Sequence, residues 1–132
     1  MDAELTARLL ACTPLTALVG NRITWGQRIQ GEGLPALTML NVSPGRGYLH
    51  SGADSLASPR VQFDCYAASS EACLALARTL TAEMEQPRVA GAIAFSVALL
   101  DAERGPLIED VGGGAKVHRR ILDFIVWFSP AG

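Results

Sequence analysis

The chain has little charge, few aromatic side chains and no long apolar run. Only 18% of its 132 residues are charged and 6% are aromatic, while 49% are hydrophobic, and the formal net charge is −2. The apolar content excludes a disordered chain. The charge balance argues against a general nucleic-acid binder, which needs a basic stripe to neutralise phosphates, but it leaves open a pore through which nucleic acid slides without sticking. So little charge on a small domain predicts that another protein covers part of its surface.

Segments that would direct the chain to a membrane are also missing from the sequence. No run approaches the ~20 apolar residues of a membrane span. The first residues, Met1-Asp-Ala-Glu-Leu5, are acidic rather than basic, so we do not expect a secretory signal. We therefore expect a soluble, unprocessed chain that folds as one domain over residues 1–132.

Residues that usually carry chemistry are few and scattered. The two histidines, His50 and His118, have no cysteine or carboxylate at metal-ligand spacing. The cysteine count is odd and no CxxC pair occurs, which favours reduced, buried thiols at Cys12, Cys65 and Cys73. A nucleophilic Cys65–His118 pair is conceivable across adjacent strands. However, Cys65 falls on an apolar strand face, where a thiol is most often inert.

One further pattern resembles a functional motif but lacks the required context. The run Gly112-Gly-Gly-Ala-Lys116 resembles a phosphate-binding loop, yet it precedes a predicted strand instead of a helix N-terminus. The acidic residues show no spacing typical of a general acid–base pair. The sequence therefore predicts a protein without catalysis, cofactor or metal.

The segment Arg60-Val-Gln-Phe-Asp-Cys-Tyr-Ala67 carries the clearest pattern in the chain. Its residues alternate between an apolar row and a polar row, as in a strand with one buried face. The polar row consists of Arg60, Gln62, Asp64 and Tyr66. Because this row is predicted to be free, we expect it to form a docking surface for a partner.

The remaining periodicities predict helices and strands on both sides of this segment. We expect a helix over residues 2–12, a short helix from Thr13-Pro14 to Gly20, strands Ala36–Ser43 and Ile93–Leu99, a helix Ser70–Gln86 and a last strand Lys116–Ser129. Residues 21–33 are expected to be irregular, and Pro44–Ser58 and Asp101–Ala115 to be long loops. Long loops in compact domains are usually functional or become ordered on binding. Arg46, Tyr48 and His50 lie in the first loop, and we expect them to contact a partner.

These elements predict an α+β fold with a four-stranded, mainly antiparallel sheet in the order 1-2-4-3. In this arrangement one long helix and the short N-terminal helices pack on the sheet, and the last strand is central. That strand is apolar on both faces except at Asp123, so it must be covered on both sides. Either the short helices complete the cover or a neighbouring subunit does.

The order and spacing of several short motifs resemble the tail-completion proteins, or tail terminators, of long-tailed double-stranded DNA phages and gene transfer agents. The resemblance covers nearly the whole chain. It is carried by Ala17-Leu-Val-Gly-Asn-Arg-Ile23, Leu34-Pro35, the Arg60–Ala67 strand, Glu71-Ala72 with Leu76-Ala77 and Leu80, and Arg119-Arg-Ile-Leu-Asp-Phe124 with Trp127-Phe128.

The resemblance implies a structural subunit of the virion, assembled in the host cytoplasm. Such proteins form homo-oligomeric rings, commonly hexamers, at the head-proximal end of the tail tube. They end tube polymerisation and join the tube protein to the head connector or stopper protein, while DNA passes through without specific binding. The acidic residues of Asp101–Ala115 would suit such a channel. The alternatives are a head-side connector or stopper subunit and, from another class, a small α+β ligand-binding domain or enzyme.

Overall fold

The computed structural model of the protein describes residues 1–27, 33–43, 48–49, 52–53, 59–112 and 114–131. Within these ranges the chain is a mixed α+β fold with three helices, a five-stranded sheet, a three-stranded sheet and a two-stranded ribbon. In chain order the elements are α1 (Asp2–Leu10), α2 (Thr13–Val19), β1 (Ile23–Trp25), β2 (Ala36–Ser43), β3 (Tyr48–Leu49), β4 (Gly52–Ala53), β5 (Arg60–Ala67), α3 (Ser70–Met84), β6 (Arg88–Ala90), β7 (Ile93–Phe95), β8 (Leu99–Gly112), β9 (Ala115–Ile125) and β10 (Phe128–Pro130).

The three helices lie close to where the periodicity predicts them. Helix α2 carries Pro14 in its first turn and is followed by Gly20 with φ +59°, a conformation that glycine adopts without steric cost. Helix α3 is capped by the Ser69 hydroxyl, which accepts from the Ala72 amide at 3.1 Å. The i, i+3, i+4 spacing of its apolar residues gives one stripe, which is fully buried and consists of Cys73, Leu76, Ala77, Leu80 and Met84.

The centre of the five-stranded sheet confirms the predicted neighbours of β5. The sheet order is β1-β2-β5-β9-β8, and β5 pairs antiparallel with both β2 and β9. The expectation that residues 21–33 are wholly irregular is wrong, because β1 pairs with β2 and supplies a parallel edge strand. The Trp25 indole anchors β1 to α1 by donating to the Thr6 hydroxyl at 2.8 Å.

The other edge of the sheet corrects the predicted strand order. The strand beside β9 is β8, Leu99–Gly112, most of which was expected to be the loop Asp101–Ala115. Three register shifts let this strand pair despite its irregular polarity pattern. At one of them Gly105 has φ +119°, and an added Cβ would lie 2.8 Å from the carbonyl oxygen of Arg119, so only glycine fits.

The predicted third strand, Ile93–Leu99, does not form as one strand of the main sheet. Its first half is β7, which pairs with β6 and β10 in the three-stranded sheet, and its last residue, Leu99, begins β8. The predicted last strand, Lys116–Ser129, is likewise divided, since β9 ends at Ile125 and β10 leaves for the second sheet. The predicted count of four strands in one sheet is therefore wrong.

One hydrophobic core fills the space between the helices and a single face of the main sheet. It joins Leu5 and Leu9 of α1 to Val61 and Phe63 of β5, together with the α3 stripe and the inward side of β9. Phe63 and Phe124 meet edge to face, with ring centroids 5.5 Å apart. The helices thus share one side of the sheet, and the opposite side, which we call the open face, carries the polar row of β5.

Candidate protein interface

Strand pairing places the polar row of β5 opposite charged and apolar residues of β9 on the open face. Gln62 lies beside Asp123, Asp64 beside Ile121 and Tyr66 beside Arg119. The alternate row of β5, from Val61 to Ala67, is completely buried in the core. The predicted division of this strand into a core row and a polar row is therefore correct.

The prediction of a free row fails at Asp64, which is only 6% exposed. Its carboxylate accepts from Gln62 Nε2 at 2.9 Å and from Arg119 Nε at 3.1 Å, and the Tyr66 hydroxyl lies at 3.4 Å. The Arg119 guanidinium also lies over the Tyr66 ring, 5.7 Å from its centroid. The Asp64 carboxylate can be buried because its neighbours on the same face of β5 and β9 supply hydrogen-bond donors to its oxygens.

A second cluster on the open face is built around Asp123, the single polar residue in the apolar run of β9. Asp123 is 5% exposed and accepts from Arg60 Nη2 at 3.1 Å, with Arg104 Nη1 at 3.5 Å. Arg60 also donates to the Asp101 carboxylate on β8. These contacts tie β5, β9 and β8 together, so Asp123 holds the edge strand to the sheet.

Three groups of these two clusters have shifted pKa values. Hydrogen bonds to Asp101 and Asp123 raise the pKa of the Arg60 guanidinium above its ordinary value. Burial alone would lower the pKa of Arg119, but its hydrogen bond to Asp64 outweighs burial and raises it. Burial and the nearby Asp64 charge raise the pKa of the Tyr66 phenol, which therefore stays protonated. Both clusters consist of ion pairs, and neither places a nucleophile beside a base.

Exposed apolar side chains accompany the ion pairs on the open face. Leu40, Leu99 and Leu107 are 49%, 50% and 44% exposed, and pairing in the sheet puts them on the same side as Gln62, Ile125 and Arg119. A surface of aliphatic side chains around fixed ion pairs suits docking of another protein better than binding of a small metabolite.

The second group of predicted contact residues remains almost wholly untested. Arg46 and His50 lie outside the described residues. Tyr48 begins β3, which pairs antiparallel with β4 through Ala53. Their role as partner contacts stays a prediction.

The thiols and His118 do not assemble into a nucleophilic site. Cys65 is fully buried, and burial raises the pKa of its thiol well above the ordinary value. In the ladder Cys65 lies opposite Arg120, whereas His118 lies opposite Ala67. The His118 ring instead contacts the Ser70 hydroxyl, with 3.0 Å between Nδ1 and Oγ. Among the described residues no group of three metal-ligating side chains occurs, and no helix is long and apolar enough to cross a membrane.

Sequence reasoning missed a groove of about 850 Å³ between the α1–α2 junction, α3 and β6. Most of its lining consists of alanine, glycine, threonine and other short side chains, and the half-buried Cys12 belongs to it. Three guanidinium groups, of Arg8, Arg78 and Arg88, stand against the single carboxylate of Glu83. The walls of the groove are therefore apolar, and its guanidinium groups are paired with carboxylates, since Arg78 lies 3.7 Å from Glu103.

A buried ion pair forms the floor of this groove. Arg8 is 4% exposed and donates from Nε to Glu83 Oε2 at 2.8 Å and from Nη2 to the carbonyl oxygens of Glu83 and Gln86, both at 2.6 Å. Arg88 adds a contact to the same carboxylate at 3.1 Å. Burial would raise the pKa of Glu83, but its hydrogen bonds to Arg88 and Arg8 outweigh burial and lower it. The Nη1 atom of Arg8 is buried and finds no acceptor among the described residues.

The sequence does contain a signal for this pair. Arg8 occupies the apolar side of α1 beside Leu5 and Leu9, and Glu83 occupies the apolar side of α3 beside Leu80 and Met84. Two opposite charges on the buried faces of two helices predict that the helices meet at that point.

The comparisons with known proteins show similarity to solved structures alone. No family model and no curated protein matches the sequence. A chain of the structure described as the virion of a native gene transfer agent particle is similar over 99% of this chain and 95% of its own length, with a TM-score of 0.69 and 15% identity. A second solved structure is similar over 99% of this chain and 93% of its own, with a TM-score of 0.55 and 13% identity. At these identities the comparisons show a shared fold.

Proposed function

We propose that the protein is a structural component of a phage-like virion. The observation that carries the proposal is the similarity to a gene transfer agent virion chain at a TM-score of 0.69, which extends over nearly the full length of both chains. The same fold can serve unrelated functions. The clusters on the open face consist of ion pairs without a paired nucleophile and base, which is consistent with a role in assembly.

Within the virion we propose that the chain is a tail terminator. Copies would form a ring, by expectation a hexamer, on the head-proximal end of the tail tube, stop its polymerisation and present a surface to the head connector. The open face, with Arg60, Gln62, Asp64 and Tyr66, is the proposed contact surface for one of these partners. Its exposed leucines would be buried by docking, while its internal ion pairs would keep the strands in register.

The net charge of −2 supports passage of DNA through the ring without tight binding. Strand β8 carries four carboxylates, Asp101, Glu103, Glu109 and Asp110, against one guanidinium, Arg104. Arginines of β5 and β9 pair with three of these carboxylates, so a channel wall formed by this strand would be close to neutral and would hold phosphates only weakly.

A substitution on the open face tests the contact surface, provided that it breaks none of the ion pairs that hold the strands together. Arg60→Glu would place a third carboxylate beside Asp101 and Asp123, so it would harm folding as well as docking. Leu40→Glu changes a side chain that is 49% exposed and makes no ion pair. Val97→Glu, at a residue 52% exposed between the two sheets, is the matched control. We expect folded protein from both and assembled particles only from the control; normal assembly with Leu40→Glu would remove the open face from the interface.

A head-side connector or stopper subunit is the alternative placement, and its scale and lack of chemistry are the same. A gold-labelled tag on the protein, viewed by electron microscopy on separated heads and tails, distinguishes the two placements. Label at tube ends supports the terminator role, and label at the portal of tailless heads contradicts it. Absence of the protein from purified particles would contradict any virion role.

A further inference from the structure

We propose that the groove between α1, α3 and β6 receives an extended, acidic segment of a partner protein, which adds to β6 as a further strand of the three-stranded sheet. Strand addition of this kind needs a sheet edge with unpaired backbone groups and a cleft beside it that admits side chains. Both features occur at β6. The inference goes beyond the proposed function and does not depend on it.

Strand β6 is an edge of the three-stranded sheet, whose order is β10-β7-β6. In an antiparallel pair, alternate residues exchange backbone hydrogen bonds with the partner strand, and the residues between them point these groups to the other side. The Ala92 carbonyl oxygen accepts from the Ala131 amide. The Ser96 amide donates to the Trp127 carbonyl oxygen. Even-numbered residues of this segment therefore bond towards β10, and odd-numbered residues of β7 bond towards β6.

This alternation leaves Val89 as the unpaired residue of β6. Ile93 lies opposite Ala90 and Phe95 lies opposite Arg88, so these two pairs hold β6 to β7. Val89 lies between them, and its N–H and C=O point away from β7. Its side chain is 70% exposed, more than any other large apolar side chain of the described residues. The edge of β6 therefore offers a donor, an acceptor and an uncovered aliphatic side chain to an added strand.

The groove runs along this edge. Four consecutive residues, Arg88 to Gly91, line it, as expected when the edge of a strand forms the wall instead of one of its faces. The walls on the helical side carry exposed alanines, which are Ala7, Ala11 and Ala82. Because these side chains are short, a second backbone can approach β6 closely. The volume of about 850 Å³ suits a short extended segment.

The ion pairs of the groove favour a carboxylate on the added segment. Among the described lining residues Glu83 is the single carboxylate, and it binds two guanidinium groups, those of Arg8 and Arg88. One positive charge of this cluster is therefore in excess. The Arg88 side chain is 51% exposed and contacts Glu83 through Nε and Nη2, so its Nη1 can donate to a further carboxylate while these contacts persist.

The native thiol of Cys12 provides a direct test. Cys12 lines the groove, whereas the other two cysteines are buried, so disulfide exchange attaches a thiol peptide at this site alone. The probe is the amidated peptide CGTVDVT. One matched peptide, CGTVKVT, replaces the carboxylate with an amine, and a second carries N-methylated valines, which cannot donate backbone hydrogen bonds. Intact mass spectrometry over a series of 2-mercaptoethanol concentrations measures how strongly each peptide is retained.

We expect the acidic peptide to withstand several-fold more reductant than either matched peptide. Val89→Pro should lower its retention several-fold, because proline removes the outward N–H and leaves the bonds between β6 and β7 in place. Val89→Ala keeps the N–H and is the matched control, and urea unfolding checks that both variants fold. In hydrogen exchange the Val89 amide should exchange rapidly in the free chain and become protected when the acidic peptide is attached.

Several results would overturn the proposal. Equal retention of the N-methylated peptide, or a Val89 amide already protected in the free chain, would contradict strand addition. Equal retention of the lysine peptide would contradict the acidic chemistry, and loss of all three peptides from a chain whose Cys12 reacts with a small thiol reagent would contradict any peptide site.

The same assays identify other occupants. An alkanethiol retained as strongly as the acidic peptide would assign the groove to a small apolar ligand. A dimer of the free chain in analytical ultracentrifugation that Val89→Pro abolishes would assign it to a second copy. Either result would overturn the proposal, and neither bears on the virion role.

Discussion

Replacing Arg8 with methionine should destabilise the protein far more than replacing an exposed arginine. Arg8 is buried and makes one hydrogen bond to the Glu83 carboxylate and two to carbonyl oxygens at the end of α3. Removing one partner of a buried pair typically costs about 3–5 kcal/mol. Arg88 still neutralises part of the Glu83 charge, so we place the cost near the lower limit, at about 3 kcal/mol. For a domain of this size that corresponds to a fall in Tm of roughly 10 °C.

The assay is urea unfolding followed by circular dichroism, with Arg78→Met as the matched control. The Arg78 side chain is 64% exposed and lies 3.7 Å from Glu103, so its loss should cost less than about 1 kcal/mol. Adding Glu83→Met to Arg8→Met should recover part of the stability, since an apolar pair leaves no buried charge. The reasoning is refuted if Arg8→Met and Arg78→Met unfold at the same urea concentration.

Three further predictions follow from named contacts. Gly105→Ala should destabilise the protein by more than about 1 kcal/mol, because an added Cβ would lie 2.8 Å from the Arg119 carbonyl oxygen. Gly114→Ala, also at positive φ but with no atom within 4 Å of the added Cβ, should cost less in the same urea assay. Equal losses of stability would contradict the steric argument. A thiol reagent at pH 8 should modify one cysteine per native chain, Cys12, because burial raises the pKa of both Cys65 and Cys73; three reactive thiols would disprove the buried placement. Folding lowers the pKa of Glu83, so its ion pairs stabilise the protein fully above the unfolded pKa of about 4.3, and this stability is lost as pH falls through the lower folded pKa. The urea midpoint of unfolding should therefore fall less steeply from pH 7 to pH 3 for Glu83→Gln than for the unchanged protein. An equal slope would contradict this linkage.

The parts of the fold that the sequence predicts are those whose burial follows a local period. The α3 stripe from Cys73 to Met84 and the core row of β5 are fully buried, because a helix or strand with one apolar side has only one way to lie on a core. The antiparallel neighbours of β5 follow from the connections and the apolar run of β9.

Strand β8 could not be read from its own residues. The alternation of polar and apolar residues is interrupted at Asp101, at Gly105-Pro106 and at Gly112. The strand forms across these interruptions through register shifts in its pairing with β9, which is distant in sequence from the first half of β8. An edge strand tolerates such interruptions, which also discourage unwanted pairing. Conversely, large and small side chains alternate regularly from Ile93 to Leu99, but β7 within this range pairs with β6 and β10 in the separate three-stranded sheet.

The residues of the predicted contact surface lie on one strand face, and their role as partner contacts stays a prediction. Alternation identifies Arg60, Gln62, Asp64 and Tyr66 as one row, yet the partners that bury Asp64 come from β9 and are distant in sequence. The groove was missed because its small residues carry no pattern; only the buried charges Arg8 and Glu83 indicate that two helices meet there.

The length of the tails made without this protein tests the terminator role most directly. We would delete the gene in a producing strain and measure tail lengths and head attachment in released particles by negative-stain electron microscopy, with the gene restored on a plasmid as control. We expect tubes of variable, extended length without heads, and normal particles on restoration. Tails of uniform, wild-type length attached to heads would contradict it.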